Sequence, residues 1–107
     1  KRGAAEAGLA GTPCEDVDRV TRQVSVDAGF GECFIHRTGH GIGMEEHEDP
    51  YIVAGNDLVL AAGMAFSVEP GFYVEGRYGA RIEDIVVCGD DGPLPMNLRP
   101  HDLQVIE

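Results

Sequence analysis

The sequence is poor in basic residues and has no long hydrophobic run. Eight lysines and arginines stand against 19 aspartates and glutamates, which gives a formal net charge of −11 over 107 residues. Because nucleic-acid binding needs clustered positive charge, this balance argues against a nucleic-acid partner. No apolar segment approaches the roughly 20 residues that a membrane helix requires, so no membrane partner is expected. We also find no signal-peptide pattern, which favours a cytoplasmic location.

Cysteine is also scarce, and its number is odd. Cys14, Cys33 and Cys88 are widely spaced, a pattern typical of reduced thiols in a cytoplasmic protein rather than of a disulfide framework. A chain of this length can form one domain at most, with a modest hydrophobic core.

What the sequence does contain is a glycine-rich segment with three of its four histidines. His36, His40 and His47 lie within twelve residues, and three glycines alternate around His40. This glycine density disfavours a helix, so the helical two-histidine zinc motif is not indicated. We therefore expect His40 to lie on a tight loop.

Periodicity predicts one complete helix. It opens at Thr12 or Cys14 and ends at Gly29, and the valines at 17, 20 and 24 are expected to form its buried face. Acidic residues at 15, 16 and 18 suit the positive end of its dipole. The Ala- and Glu-rich residues 1–10 are typical of the tail of an earlier helix.

Strands are predicted at 34–36, 50–53, 64–69, 80–88 and 103–106. Alternation in the third of these puts Ser67 and Glu69 on one side, with Glu69 at the end of the strand before Pro70 and Gly71. In the fourth, Arg81 and Glu83 share a face of a strand otherwise rich in Ile and Val. Charged residues in such a strand are costly unless they are paired or have a function.

One imidazole and two carboxylates stand out as a possible metal-binding set. His40, Glu69 and Glu83 would suit a first-row divalent ion such as Mn, Fe, Co or Zn better than a closed structural zinc, which prefers thiolates. Each residue also has an ordinary explanation, because a histidine beside glycines often makes loop hydrogen bonds and a glutamate at a strand end is usually solvated. Their joint order and context favour the metal site.

Four ordered motifs then resemble a known family. They are HRTGHGIG at 36–43, HEDP at 47–50, FSVEPG at 66–71 and GARIED at 79–84. Together they resemble the pita-bread metallopeptidases, especially the Xaa-Pro dipeptidases and aminopeptidases. The resemblance implies an α+β fold: the C-terminal half of a pita-bread (creatinase/aminopeptidase-like) domain, with one or two helices against a curved, mainly antiparallel sheet. Residues 1–107 would then be a single partial domain.

The resemblance also implies a pair of divalent metal ions, with manganese expected first and cobalt, zinc or iron as alternatives. In the family, two aspartates, one histidine and two glutamates bind the pair. The last three match His40, Glu69 and Glu83, whereas the aspartates would precede Lys1. The isolated chain is therefore expected to bind at most one ion, weakly, and to be inactive.

The implied reaction is hydrolysis of the peptide bond before proline in a proline-containing peptide. By resemblance, His47 would stabilise the tetrahedral intermediate, and His36 and Arg81 would shape the proline side of the site. Two alternatives stay open. One is a methionine aminopeptidase, although that subgroup usually lacks a histidine at the position of His36; the other is a non-catalytic pita-bread binding or assembly module.

A homodimer is the last expectation. Half of a two-part fold should expose an unpaired sheet edge and apolar strand surface, which tend to recruit a second copy. The apolar residues expected on that surface are Phe66, Val68, Ile82 and Val86.

Overall fold

The structure is a computed structural model that describes residues 8–107. Within that range it contains one α-helix, one 3-10 turn and seven strands in two antiparallel sheets. The elements are α1 (Cys14–Asp27), the 3-10 turn Gly31–Cys33, β1 (Gly39–Gly41), β2 (Glu48–Ile52), β3 (Ala65–Val68), β4 (Gly71–Val74), β5 (Tyr78–Arg81), β6 (Asp84–Val87) and β7 (Leu94–Pro95). The larger sheet has the order β2-β1-β3-β6-β7, and β4 pairs with β5 alone. The α+β prediction is confirmed.

Helix α1 follows Pro13 and ends before Gly29, whose φ of +84° is readily adopted only by glycine. Its buried positions are Cys14, Val17, Asp18 and Thr21. The predicted valine face is therefore wrong at Val24, which is 51% exposed, because only the first half of the helix packs into the core. Of the helix tail predicted at 1–10, residues 1–7 lie outside the described residues and 8–10 are not helical.

The core lies between α1 and the larger sheet. It consists of Cys14, Val17, Ile52, Leu60, Phe66, Val68, Val86 and Cys88. Three of the four residues expected on an exposed apolar face are thus buried, because β3 and β6 pair in the interior of the sheet and the chain covers them itself. Ile82 alone of the four is exposed. The three cysteine thiols are unpaired, as expected.

Three strand predictions need correction. Residues 34–36 form no strand, since the carbonyls of Phe34 and His36 accept hydrogen bonds from Arg22 instead of from a neighbouring strand. The strand predicted at 80–88 is two strands, because the chain leaves β4 after Arg81 and joins β3 from Asp84 onward. Residues 103–106 are irregular and exposed, since none of their apolar side chains is buried against the rest of the chain.

His40 lies at the centre of β1 and not on a loop, which corrects another prediction. Its flanking glycines serve close packing: a Cβ on Gly39 would collide with the carbonyl oxygen of Ser67, and one on Gly41 with that of Asp49. The glycines thus allow β1 to fit tightly between β2 and β3. Within residues 8–107 no helix combines the length and apolar character needed to cross a membrane.

Candidate active site

Two of the predicted metal ligands face each other across neighbouring strands. His40 is in the middle of β1, and Glu69 directly follows the last residue of β3. His40 Nε2 lies 3.2 Å from Glu69 Oε1, and both residues are buried, at 8% and 7% exposure. The pairing of β1 with β3, at Gly41 and Phe66, is what brings them together.

The hydrogen bond of the other ring nitrogen of His40, Nδ1, determines which chemical group Nε2 presents to Glu69. Nδ1 lies 2.9 Å from the carbonyl oxygen of Gly41, and since a carbonyl only accepts, Nδ1 carries the proton. In the neutral ring Nε2 then presents a lone pair to a carboxylate oxygen, which is an unfavourable contact between two acceptors. Either a second proton or a shared cation would make it favourable, so the pair fits a metal ion in donor chemistry and orientation.

Glu69 is held from both sides. Ser67 Oγ donates to Oε1 over 2.9 Å, and Arg81 Nη1 donates to Oε2 over 2.9 Å. The same Ser67 hydroxyl accepts a hydrogen bond of 3.0 Å from the backbone amide of His40. One buried hydroxyl therefore fixes both predicted ligands relative to each other.

Arg81 is itself oriented by Tyr73, whose hydroxyl accepts a hydrogen bond of 2.9 Å from Nε. Burial by itself lowers the pKa of the guanidinium, but the contacts with Tyr73 and Glu69 outweigh it and leave the pKa raised. Arg81 accordingly remains a cation beside the Glu69 carboxylate.

The other two histidines of the glycine-rich segment, His36 and His47, lie around the same site. The ring of His47 packs edge-on against that of His40, with centroids 4.5 Å apart. His36 lies beside Tyr73, at a centroid separation of 5.8 Å, and its buried Nε2 has no hydrogen-bond partner among the described residues. His36 and His47 line an open cavity of about 430 Å³, together with Arg37, Tyr51, Val53, Glu69 and Arg81.

Glu83 is the one predicted site residue that the structure does not bring to the others. It lies between β5 and β6 and is exposed. Within residues 8–107 no group of three or more His, Cys, Asp and Glu side chains is placed to hold an ion. His36, His40, His47, Glu69 and Arg81 do come together, whereas a ligand role for Glu83 stays a prediction.

Two residues of the site were missed from the sequence. Ser67 could have been found, because the alternation of β3 already placed it on the same side as Glu69. Tyr73 gave no such signal, since its contact with Arg81 depends on the register in which β4 pairs with β5. Glu48 has a structural role, because its Oε2 accepts hydrogen bonds from the amides of Met44 and Glu45 and closes the loop before His47.

Comparison with known proteins gives consistent matches. The model of metallopeptidase family M24 matches residues 1–90. The probable dipeptidase PepE of Mycobacterium tuberculosis is 58% identical over 106 residues, which is 99% of this chain and 28% of that protein. The Xaa-Pro dipeptidase of Lactobacillus delbrueckii subsp. lactis is 48% identical over 106 residues, 99% of this chain and 29% of that protein.

A solved structure gives the same result for the fold. The crystal structure of dipeptidase PepE from Mycobacterium ulcerans superposes with a TM-score of 0.91 at 59% identity, covering 95% of this chain and 28% of that one. The fold inferred from the four motifs is thereby confirmed. The chain spans less than a third of the length of these relatives.

Proposed function

Because this chain belongs to metallopeptidase family M24, we propose that it supplies the histidine and glutamate side of an active site that hydrolyses Xaa-Pro peptide bonds. The observation that carries the proposal is the buried contact of 3.2 Å between His40 Nε2 and Glu69 Oε1. Similarity to a protein named Xaa-Pro dipeptidase supports the substrate class.

Two divalent ions, with manganese proposed first and cobalt, zinc or iron as alternatives, would be held in part by this chain. His40 and Glu69 would bind one ion, and Glu83 would bridge both; two aspartates would come from the remainder of a longer protein. When bound, such ions polarise the scissile carbonyl and make water nucleophilic near neutral pH. Without the aspartates, the 107-residue chain is expected to bind at most one ion and to show no turnover.

The chain's other residues would orient the ligands and the substrate. Ser67 and Arg81 hold the two oxygens of Glu69, so the carboxylate is fixed before any ion or substrate arrives. His47, exposed beside His40, would donate a hydrogen bond to the oxygen on which negative charge develops. The unpartnered Nε2 of His36 would serve the proline side of the cavity.

We also propose a cytoplasmic homodimer. Among residues 8–107, the outer strands of the larger sheet, β2 and β7, pair on one side only, and next to β7 the side chain of Leu98 is 92% exposed. An uncovered edge with apolar neighbours tends to recruit another strand. Three of the four apolar residues first expected to drive dimerisation are buried, so the proposed dimer rests on the sheet edge.

A graft tests the proposed activity in a complete protein. The matched segment of the Lactobacillus delbrueckii Xaa-Pro dipeptidase would be replaced by residues 1–107, and hydrolysis of an Xaa-Pro dipeptide would be measured with manganese. We expect the folded graft to keep roughly a tenth or more of the host's kcat/KM. A tenfold loss corresponds to about 1.4 kcal/mol of transition-state stabilisation.

The matched control is the graft that carries His40→Ala, which should lose this activity. A graft that folds like its host, as judged by circular dichroism, but hydrolyses no Xaa-Pro dipeptide would contradict the proposal. That result would favour the non-catalytic module. Cleavage of an N-terminal methionine in preference to Xaa-Pro would instead favour the methionine aminopeptidase alternative.

A further inference from the structure

Asp18 is a carboxylate buried away from the candidate active site. It lies on the inner face of α1 and is only 1% exposed. It does not line the cavity beside Glu69, and the proposed reaction makes no use of it. A buried carboxylate is costly unless it is paired and hydrogen-bonded, so its partners indicate its role.

The partners connect the helix to the segment that carries the site histidines. Arg22, one helical turn further on, donates to Asp18 from Nε over 3.2 Å and from Nη2 over 3.0 Å. The hydroxyl of Thr38 donates to Oδ1 over 2.7 Å. The arginine contact could form within an isolated helix, but the contact with Thr38 forms only when the segment before β1 is in place.

Arg22 holds the backbone of the same segment. Its Nη1 donates to the carbonyl of Phe34 over 2.7 Å, and its Nη2 donates to that of His36 over 2.9 Å. Its guanidinium also lies 4.0 Å from the centroid of the Phe34 ring. Residues 34–38 belong to no strand, so these contacts replace the ladder that would otherwise fix them.

Thr38 passes this constraint to the predicted ligands. Its carbonyl accepts a hydrogen bond of 2.7 Å from the amide of Glu69, and its amide donates over 3.0 Å to Ile52 in β2. His36 and His40 lie two residues to either side. Thr38 is therefore bonded to Asp18 of the ion pair by its side chain and to Glu69 of the active site by its main chain.

We propose that Asp18 and Arg22 are positioning residues of the active site, which fix the 34–38 segment and thereby set the places of His36, His40 and Glu69. A planar guanidinium is required, because it serves the carboxylate and two carbonyls at once in a fixed fork. A lysine ammonium has the charge but cannot reproduce that geometry. The catalytic importance of the segment rests on the proposed function; the positioning itself does not.

The first test uses the 107-residue chain and needs no activity. Asp18→Asn is expected to shift the NMR signals of the His36 ring and to raise the hydrogen-exchange rate of the Glu69 amide about tenfold, which corresponds to about 1.4 kcal/mol. The His101 ring, which contacts Asp84 elsewhere, should not change. Unchanged His36 signals and Glu69 exchange in a folded Asp18→Asn chain would overturn the proposal, even if the chain were less stable.

The same helix offers a matched control. Asp16 and Arg19 form an ion pair of 2.8 Å, with side chains 43% and 68% exposed. Asp16→Asn removes the same charge from the same helix and is expected to leave both readouts unchanged. Equal shifts from Asp16→Asn and Asp18→Asn would show a general effect of charge and would overturn the proposal.

Thr38→Val keeps the test decisive if Asp18→Asn does not fold. It removes one hydroxyl and leaves the ion pair intact, so we expect a smaller His36 shift and faster Glu69 exchange. Absence of both changes in the folded Thr38→Val chain would overturn the proposal.

The second test uses the active graft and separates positioning from charge balance. Asp18→Asn and Arg22→Lys should each lower kcat/KM by roughly 10–100-fold, the range typical of replacing residues that orient metal ligands without binding the metal. Full activity in Arg22→Lys would show that the positive charge alone suffices and would overturn the positioning role. An inactive parent graft would contradict the proposed function instead, and the NMR test would still decide the positioning.

Discussion

Replacing Ser67 with alanine tests the hydrogen bonds that join the two predicted ligands, His40 and Glu69. The hydroxyl accepts from the amide of His40 and donates to Glu69 Oε1, and Ser67 is fully buried at 0% exposure. A buried donor left without a partner costs about 1–3 kcal/mol, and a hydrogen bond to a charged group contributes about 1.5–3 kcal/mol. Because Glu69 keeps its contact with Arg81, we expect Ser67→Ala to lower the free energy of unfolding by about 2–4 kcal/mol in total.

Urea denaturation of the 107-residue chain measures this loss, and the other serine of the sequence, Ser25, supplies the control. Ser25 is half-buried in α1. Ser25→Ala should change the free energy of unfolding by no more than about 0.5 kcal/mol, in the stabilising direction, because alanine has the higher helix propensity. A loss below about 0.5 kcal/mol for Ser67→Ala would refute the reasoning, since surface-like substitutions already reach that size.

Four further predictions concern separate features. In the active graft, Glu83→Gln should lower kcat/KM about 100-fold or more, which is typical of the loss of one group that stabilises the transition state. Substitution of the exposed Glu75 by Gln should not have this effect. Equal effects of the two substitutions would argue against a ligand role for Glu83. Gly41→Ala should lower the free energy of unfolding by about 3 kcal/mol, because the added Cβ would overpack against Asp49. Gly55→Ala should lower it by only about 1 kcal/mol, because φ is +85° there but no atom lies near. Similar losses for the two variants in thermal unfolding would contradict this prediction. Burial raises the pKa of the Cys14 thiol, so this thiol ionises at a lower pH in the unfolded chain than in the folded one. The free energy of unfolding should therefore fall as pH rises above about 8.5. Cys14→Ala should reduce that decline, and an unchanged decline would exclude the thiol as its cause. The chain should sediment as a dimer at micromolar concentration and moderate salt, and a strictly monomeric, folded species would count against pairing through the sheet edge.

The sequence predicted the site residues best where they lie within one strand. Alternation through β3 was enough to place Glu69 at its end, because a period of two continues until Pro70 and Gly71 interrupt it. The helix limits were also predictable, since Pro13 and Gly29 act locally. In these cases the residues that determine the structure are neighbours along the chain.

Prediction failed where the determining contact is distant. Glycines beside His40 suggested a loop, but they are required by carbonyls of Ser67 and Asp49, which local sequence cannot reveal. An unbroken alternation at 80–88 could not show that the chain changes partner strand before Asp84. Asp18 was interpreted as an acid that favours the helix dipole, yet it is buried against Thr38, which is 20 positions away in sequence.

We propose that His40, Glu69 and Glu83 bind metal in a complete active site. Anomalous diffraction from crystals of the active graft, grown with manganese, locates the bound ions relative to these three side chains. We expect two neighbouring anomalous peaks, one within coordination distance of His40 Nε2 and Glu69, and the Glu83 carboxylate in contact with both. A refined graft whose manganese peaks lie away from His40 and Glu69, or leave Glu83 without a metal contact, would contradict this ligand assignment.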